Sequence, residues 1–170
     1  DRRELSRFVA AQYQYSLVVR DIEHEFSDLC LSEGVGIVPW GPLGGGFLTG
    51  KYQRGKRPED ASEGRIAVMS EDSEEAWEKR ATQRNWRILD TMDDIATNYD
   101  LNHPQIALKW LLAQPAVSSV IIGVRTMEQL EDNLKAVDVD LPRDEIERLN
   151  EVSAPDALYP YRFLENYGGR

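Results

Sequence analysis

Three short apolar runs punctuate the chain: residues 8–12, which include Phe8 and Val9; residues 35–40, from Val35 to Trp40; and residues 119–123, around Val120, Ile121 and Ile122. None alternates strictly between apolar and polar positions. Each therefore predicts a strand buried on both faces, as in a parallel sheet covered by helices. Between and after them, apolar residues recur at helical spacing. Asp21 caps a predicted helix whose inner face is Ile22, Phe26, Leu29 and Cys30, ending near Gly34. A long polar helix is predicted from about Glu74 to Tyr99, striped by Leu89, Met92, Ala96 and Tyr99. Pro104 sits at the first position of the next, with Ile106, Ala107, Trp110 and Leu111 inward, and Pro115 closes it. Thr126 and Gln129 read as a capping box ahead of a stripe of Met127, Leu130, Leu134 and Val137. Pro142 opens a final helix carrying Ile146, Leu149 and Val152.

The order β-α-β-loop-α-α-β-α-α implies an α/β fold with right-handed crossovers and a parallel sheet. The stretch 41–73 lacks periodicity and is rich in Gly, Lys, Arg, Glu and Ser. A loop of that length in a compact domain is usually functional or disordered. Three parallel strands would leave two open apolar edges. One βα unit here takes a few tens of residues, which suits a closed barrel, and an eight-stranded barrel needs about 250. Residue 1 is Asp rather than Met, and the first strand follows almost at once. Residues 1–170 are therefore expected to be the C-terminal portion of a single (β/α)8 TIM barrel domain, incomplete as given. Its long loop lies at about 41–73 and its last helix and tail at about 142–170.

Composition narrows the partners. Thirty Asp and Glu against 20 Lys and Arg give a net charge of -10. Such a field repels phosphate backbones and anionic lipid, so nucleic acid is not an expected partner. No apolar run approaches the roughly 20 residues of a membrane helix, so membrane insertion is not expected either. The single Cys30 excludes an internal disulfide framework and suits a reducing, cytoplasmic compartment. Two histidines and one cysteine, scattered along the sequence, make no metal site.

Three segments carry candidate chemistry. The first runs from Trp40 through Gly41, Pro42, Leu43, Gly44 and Gly45 to Lys51, directly after a strand. In α/β folds ligands sit beyond the C-terminal ends of strands. Glycines let backbone N–H groups approach an anion, Lys51 adds a mobile charge, and Trp40 offers a flat face to a ring. The second is Gly123, Arg125 and the helix start that follows, where unpaired N–H groups and a guanidinium can hold a phosphate. Gln129 and Asn133 lie four apart and share a helix face, from which they could bond a nucleobase or ribose edge. The third is Gln12, whose amide could pair with a carboxamide in the mouth of a barrel. Each segment alone also reads as ordinary structure: a packed loop, a capped helix, a buried amide.

Together these residues resemble a family. The spacing Gln12-x-x-Tyr15-x-Leu17-x-x-Arg20-x-x-Glu23, the stretch from Trp40 to Tyr52, and the run from Ile122 to Asn133 look like the C-terminal half of aldo-keto reductases. The branch most resembled contains the potassium-channel β subunits and many bacterial reductases. The resemblance implies a (β/α)8 barrel that reduces aldehydes and ketones with NADPH. It implies that Gln12 holds the nicotinamide carboxamide and that Trp40 stacks on the ring. Gly41, where the family often has Ser, would wrap the diphosphate together with Pro42, Leu43, Gly44 and Gly45, and Lys51 and Arg65 would lie beside it. Gly123 and Arg125 would receive the adenosine 2′-phosphate, and Gln129, Asp132 and Asn133 would face the adenine. Some relatives carry Arg at the place of Gln129 and Lys at that of Gly123, which leaves Arg125 as the main cation for NADPH over NADH.

The family's catalytic Asp, Tyr, Lys and His fall on earlier strands. His24, His103, Tyr13, Tyr15, Tyr52 and Tyr99 do not match their contexts, so no catalytic residue is assigned. The expectation is the NADP(H)-binding half of an oxidoreductase, inactive alone, whose partners are a small carbonyl substrate and the missing N-terminal half of the barrel. The alternatives are a non-enzymatic cofactor-sensing or regulatory subunit on the same barrel, or an independent small phosphate-binding domain.

Overall fold

The computed structural model describes residues 6–156 and 159–168; the rest of the expected domain, including Ala157 and Leu158 in the tail, lies outside the described residues. Two strands pair in parallel: β1 (Ala10–Ala11) and β2 (Gly36–Ile37), with Ala10 opposite Gly36 and Ala11 opposite Ile37. A third extended segment joins the other edge of β2 through a parallel bridge between Ile37 and Val117. The backbone of β2 alternates its bonds. Gly36 and Val38 donate to Val9 and Ala11, whereas Ile37 donates to Ala116 and accepts from Ser118. The third segment thus engages a few residues earlier than the expected 119–123, because pairing begins as soon as the turn after Pro115 is made.

The expected burial on both faces holds at Ile37 but fails at the edge. Phe8 and Val9 are 88% and 77% exposed. Among the described residues, nothing covers the outer side of β1.

The helices depart from the sequence pattern in instructive ways. Asp21 does not cap; residues Asp21–His24 form a 3-10 turn with no side-chain cap bond, and α1 (Phe26–Glu33) follows, ending at Gly34 in the left-handed region. Ile22 and Cys30 are buried, but Phe26 and Leu29 face outward. The predicted long helix is two: α2 (Trp77–Arg80) and α3 (Gln83–Tyr99). Thr82 breaks them apart, its side chain accepting from the N–H of Asn85 at 3.2 Å. Helix α4 (His103–Leu112) is capped by Asn102, so Pro104 occupies its second position. Asn102 and Gln105 bond each other's backbone N–H at 2.9 and 3.2 Å, a full capping box.

In α5 (Met127–Leu134), Thr126 accepts from Gln129 N–H, but the Gln129 side chain accepts from the N–H of Arg125 instead of Thr126. Its inner face is Asn133, continued by Ala136 in the next turn. Met127, Leu134 and Val137 of the expected inner stripe are exposed. Helix α6 (Arg143–Val152) packs on α3, and α7 (Tyr161–Tyr167) ends the described chain.

One buried polar hub ties these parts together. Arg20 forms a two-pronged pair with Glu23 at 2.7 Å on each arm, and its third nitrogen donates to Asn150 O and Ser153 Oγ on and after α6. Tyr15 donates to the same Glu23, and Trp110 of α4 donates to Asn150 Oδ1 at 2.8 Å. Burial and Glu23 push the Tyr15 hydroxyl's pKa far up, so it stays a donor. The motif residues Tyr15, Arg20 and Glu23 are therefore structural: they fix the exit of β1 against α4 and α6.

The stretch 41–73 is packed. It winds into 3-10 turns at Gly44–Thr49 and Arg65–Val68 and buries Phe47, Leu48, Tyr52 and Ile66. Phe47 meets Trp86 with ring centroids 4.9 Å apart.

Ile37 is fully buried and bonds both neighbours. We expect Ile37→Ala to lower the unfolding free energy by ~2–5 kcal/mol, read from urea denaturation.

Candidate functional site

The three extended segments run parallel, so their C-terminal ends lie on one rim. Trp40 N–H donates to Tyr13 O at 2.9 Å and Tyr15 N–H to Trp40 O at 3.3 Å; Ile121 N–H donates to Pro39 O at 2.9 Å. The expected residues Gln12, Trp40 and Gly123 are thereby gathered at adjacent strand ends. All three are exposed, and Gly123 has open space where a Cβ would lie.

Beyond Trp40 the chain turns sharply. Gly41, Gly44, Gly45 and Gly46 have φ of 66, 58, 70 and 94°, a region that L side chains rarely adopt. The N–H groups of Gly44 and Gly46 donate back to Gly41 O and Leu43 O, both at 2.9 Å. Those two groups are spent inside the turn. Pro42 and Gly44 are buried, and Leu43 and Gly45 half-buried.

Lys51 returns toward this turn. Its ammonium lies 5.0 Å from the Tyr52 ring centroid and 3.5 Å from the place of a Gly46 Cβ. Burial, and then the Arg125 guanidinium, hold its pKa below the usual lysine range. Lys51 and Arg125 come from loops after different strands, and neither forms an ion pair among the described residues. Two cations that influence each other and lack an ion-pair partner among the described residues suit an anion. Arg65 differs from them in having a carboxylate partner, Glu75, at 3.0 Å.

On the helix side, Gln129 is turned back onto the Arg125 N–H at 2.9 Å. Asn133 is buried. Asp132 accepts from Asn102 Nδ2 and from Gln105 Nε2, at 3.1 Å for the latter. Of the expected adenine-side residues, Asp132 alone borders a groove of about 610 Å³, lined also by Asn102, Gln105, Lys135 and Val139 among others. The sequence reading missed Asn102 and Gln105. Their spacing around Pro104 was the available signal, since it marks a capping box. It also missed Glu75, one carboxylate in an acidic stretch with nothing to single it out. Among the described residues no group of three or more His, Cys, Asp or Glu could hold a metal ion, and no helix is long and apolar enough to cross a membrane.

Comparison with known proteins settles the lineage. The model of the Aldo/keto reductase family matches residues 1–154. The chain belongs to the aldo/keto reductase family. It is 32% identical over 161 residues to Protein tas of Escherichia coli, covering 95% of this chain and 43% of that protein. It is 31% identical over 152 residues to an uncharacterized oxidoreductase, YrpG, of Bacillus subtilis, covering 89% and 42%. It is 34% identical over 140 residues to a probable voltage-gated potassium channel subunit beta of Arabidopsis thaliana, covering 82% and 41%. The chain thus spans less than half the length of these relatives. The family fold is a (β/α)8 barrel, its members include oxidoreductases, and they typically bind NAD(P)(H); three parallel segments followed by helices are consistent with part of such a barrel.

A Cβ at Gly44 would lie 2.7 Å from Val18 Cγ2, and the backbone there has φ of 58°. We expect Gly44→Ala to destabilise the protein by ~1–2 kcal/mol and to displace the turn, seen as a lowered melting temperature.

Proposed function

We propose that the chain is the C-terminal portion of an aldo-keto reductase barrel and provides its NADP(H) cradle. The whole protein reduces aldehydes or ketones to alcohols in the cytoplasm. The observation that carries this reading is the Lys51–Arg125 pair: two cations on neighbouring strand loops, near enough for the guanidinium to lower the lysine's pKa, and neither held in an ion pair among the described residues. A dinucleotide with a 2′-phosphate has the negative charge and the extended shape to meet both.

The residues present fit that group. Trp40 is partly exposed at a strand end opposite Gln14, Gln12 is exposed two positions earlier on the same segment, and Gly123 leaves open space in the turn ahead of α5. In this reading Gln12 holds the carboxamide and Trp40 stacks on the nicotinamide. The turn of Gly41, Pro42, Leu43, Gly44 and Gly45, with Lys51 and Arg65, takes the diphosphate. Gly123 and Arg125 take the 2′-phosphate; Gln129, Asp132 and Asn133 take the adenine. The bound nicotinamide supplies the hydride for carbonyl reduction. No proton donor is assigned to this chain; that group belongs to the N-terminal half, with which the substrate also makes contact.

The exposed apolar flanks support an incomplete barrel. On one side Phe8, Leu29 and Tyr13 line an open groove of about 530 Å³; on the other Met127, Leu134 and Val137 face outward. Apolar surface of that extent normally meets a partner. The likeness to a channel subunit keeps a second reading in play, a cofactor-sensing subunit built on the same barrel. Steady turnover of a carbonyl substrate by the full-length protein would exclude it.

The cofactor assignment is tested by titrating NADPH against tryptophan fluorescence. Arg125→Ala should weaken NADPH binding by ~1–3 kcal/mol and leave NADH nearly unchanged; equal losses would remove the 2′-phosphate assignment. Trp40→Ala should weaken both cofactors alike and abolish most of the quenching; unchanged affinity refutes stacking there.

A further inference from the structure

A buried guanidinium beside the proposed cradle lacks partners. Arg80 ends α2, is 5% exposed, and its Nε and Nη2 make no hydrogen bond. Burial pushes its pKa down, and the Glu75 carboxylate is the foremost charge opposing that shift. Yet Glu75, itself buried, spends its ion pair elsewhere. Its Oε2 lies 3.0 Å from Nη2 of Arg65, whose side chain is 60% exposed. The other Glu75 oxygen lies against the glycine turn, 3.7 Å from the place of a Gly45 Cβ and 3.9 Å from that of Gly41. Across the turn the Gln14 amide nitrogen is also buried without a partner.

Glu75 is thus bonded to the exposed guanidinium, while the buried one of Arg80, on which its charge also acts, is left without a partner at Nε and Nη2. A pair with exposed Arg65 is weak because water screens it. A pair with Arg80 would relieve a desolvated charge and two orphaned donors. Arg65 holds Glu75 only while Arg65 has no better anion. A diphosphate at the turn is a better anion for Arg65, and it repels the carboxylate that lies there.

We propose that Glu75 is a two-position counter-ion, which holds Arg65 in the free protein and turns to Arg80 when a diphosphate takes Arg65. The inference rests on the cofactor reading above. It makes Arg80 a positioning residue: it touches no ligand, but by retaining Glu75 it keeps Arg65 on the diphosphate and slows release. Glu75 in turn slows capture.

Stopped-flow tryptophan quenching of the full-length protein by NADPH separates the two effects. Arg80→Met should raise the dissociation rate about tenfold and leave association unchanged. Glu75→Gln should speed association several-fold. The double variant should dissociate no faster than Glu75→Gln alone, because Arg80 acts through Glu75. Arg80→Lys, which keeps the charge and loses the fork, should fall between wild type and Arg80→Met and serves if that variant does not fold. Additive dissociation effects, or wild-type dissociation in both Arg80 variants, overturn the exchange while leaving the cofactor reading intact. No quenching of the wild type by NADPH, inorganic pyrophosphate or 2′,5′-ADP overturns both.

Discussion

The site depends on one arrangement of backbone hydrogen bonds, the alternation along β2. Gly36 and Val38 bond one neighbour while Ile37 bonds the other. In a parallel ladder this alternation aligns three chain segments in one direction without any turn between them. Their C-terminal ends must then share a rim. Residues some 28 and 111 positions beyond Gln12, at Trp40 and near Gly123, become neighbours for that reason alone. The Arg20 hub is the second fastening. It locks the exit of β1 to α6 through Glu23, Asn150 and Ser153, so the rim cannot drift from the helical layer behind it.

Charge is distributed against the average. The chain carries a net -10, yet its rim presents Lys51 and Arg125 without carboxylates, and Arg65 tethered only to Glu75. Elsewhere many cations sit in surface pairs, such as Arg54 with Asp90 and Arg143 with Glu147. Pairs of that kind contribute little to stability, but they remove competing positive sites. An anion approaching this acidic protein is repelled by its net charge, and in the proposed reading the unpaired cations of the rim offset that repulsion locally.

Much of this was legible in the sequence, because the signals were local and redundant. The three apolar runs, the cap at Thr126, and the stop at Gly34 follow from period and from cap chemistry. The Trp40-Gly41-Pro42 turn was legible as a turn for the same reason: a glycine cluster and a proline directly after a strand end it. What failed depended on neighbours the sequence does not name. The stripe of Met127, Leu134 and Val137 has helical spacing, but spacing cannot say what covers a face, and in this structure Asn133 and Ala136 take the inner one. The break at Thr82 was hidden because acidic and basic residues on both sides are equally good in helix or loop. Glu75 carried no signal at all; its importance comes from Gly45, Arg65 and Arg80 meeting it in space.

The long loop shows how such a site can be both ordered and ready. A glycine-rich stretch exposed to water would lose much conformational freedom on closing around a ligand. This one has lost that freedom already, because Phe47, Leu48, Tyr52 and Ile66 anchor it beneath α3 and Trp86. Its glycines are then needed for shape rather than flexibility: they allow a backbone course, at φ near 60–90°, that carries Lys51 back over the turn. The remaining freedom is confined to side chains, chiefly exposed Arg65. Binding an anion at a preformed turn therefore requires exchange of one ion pair and ordering of a few side chains, not folding of a loop. In the proposed exchange, that is why the ion pair between Arg65 and Glu75, weak by itself, would set the rates of capture and release.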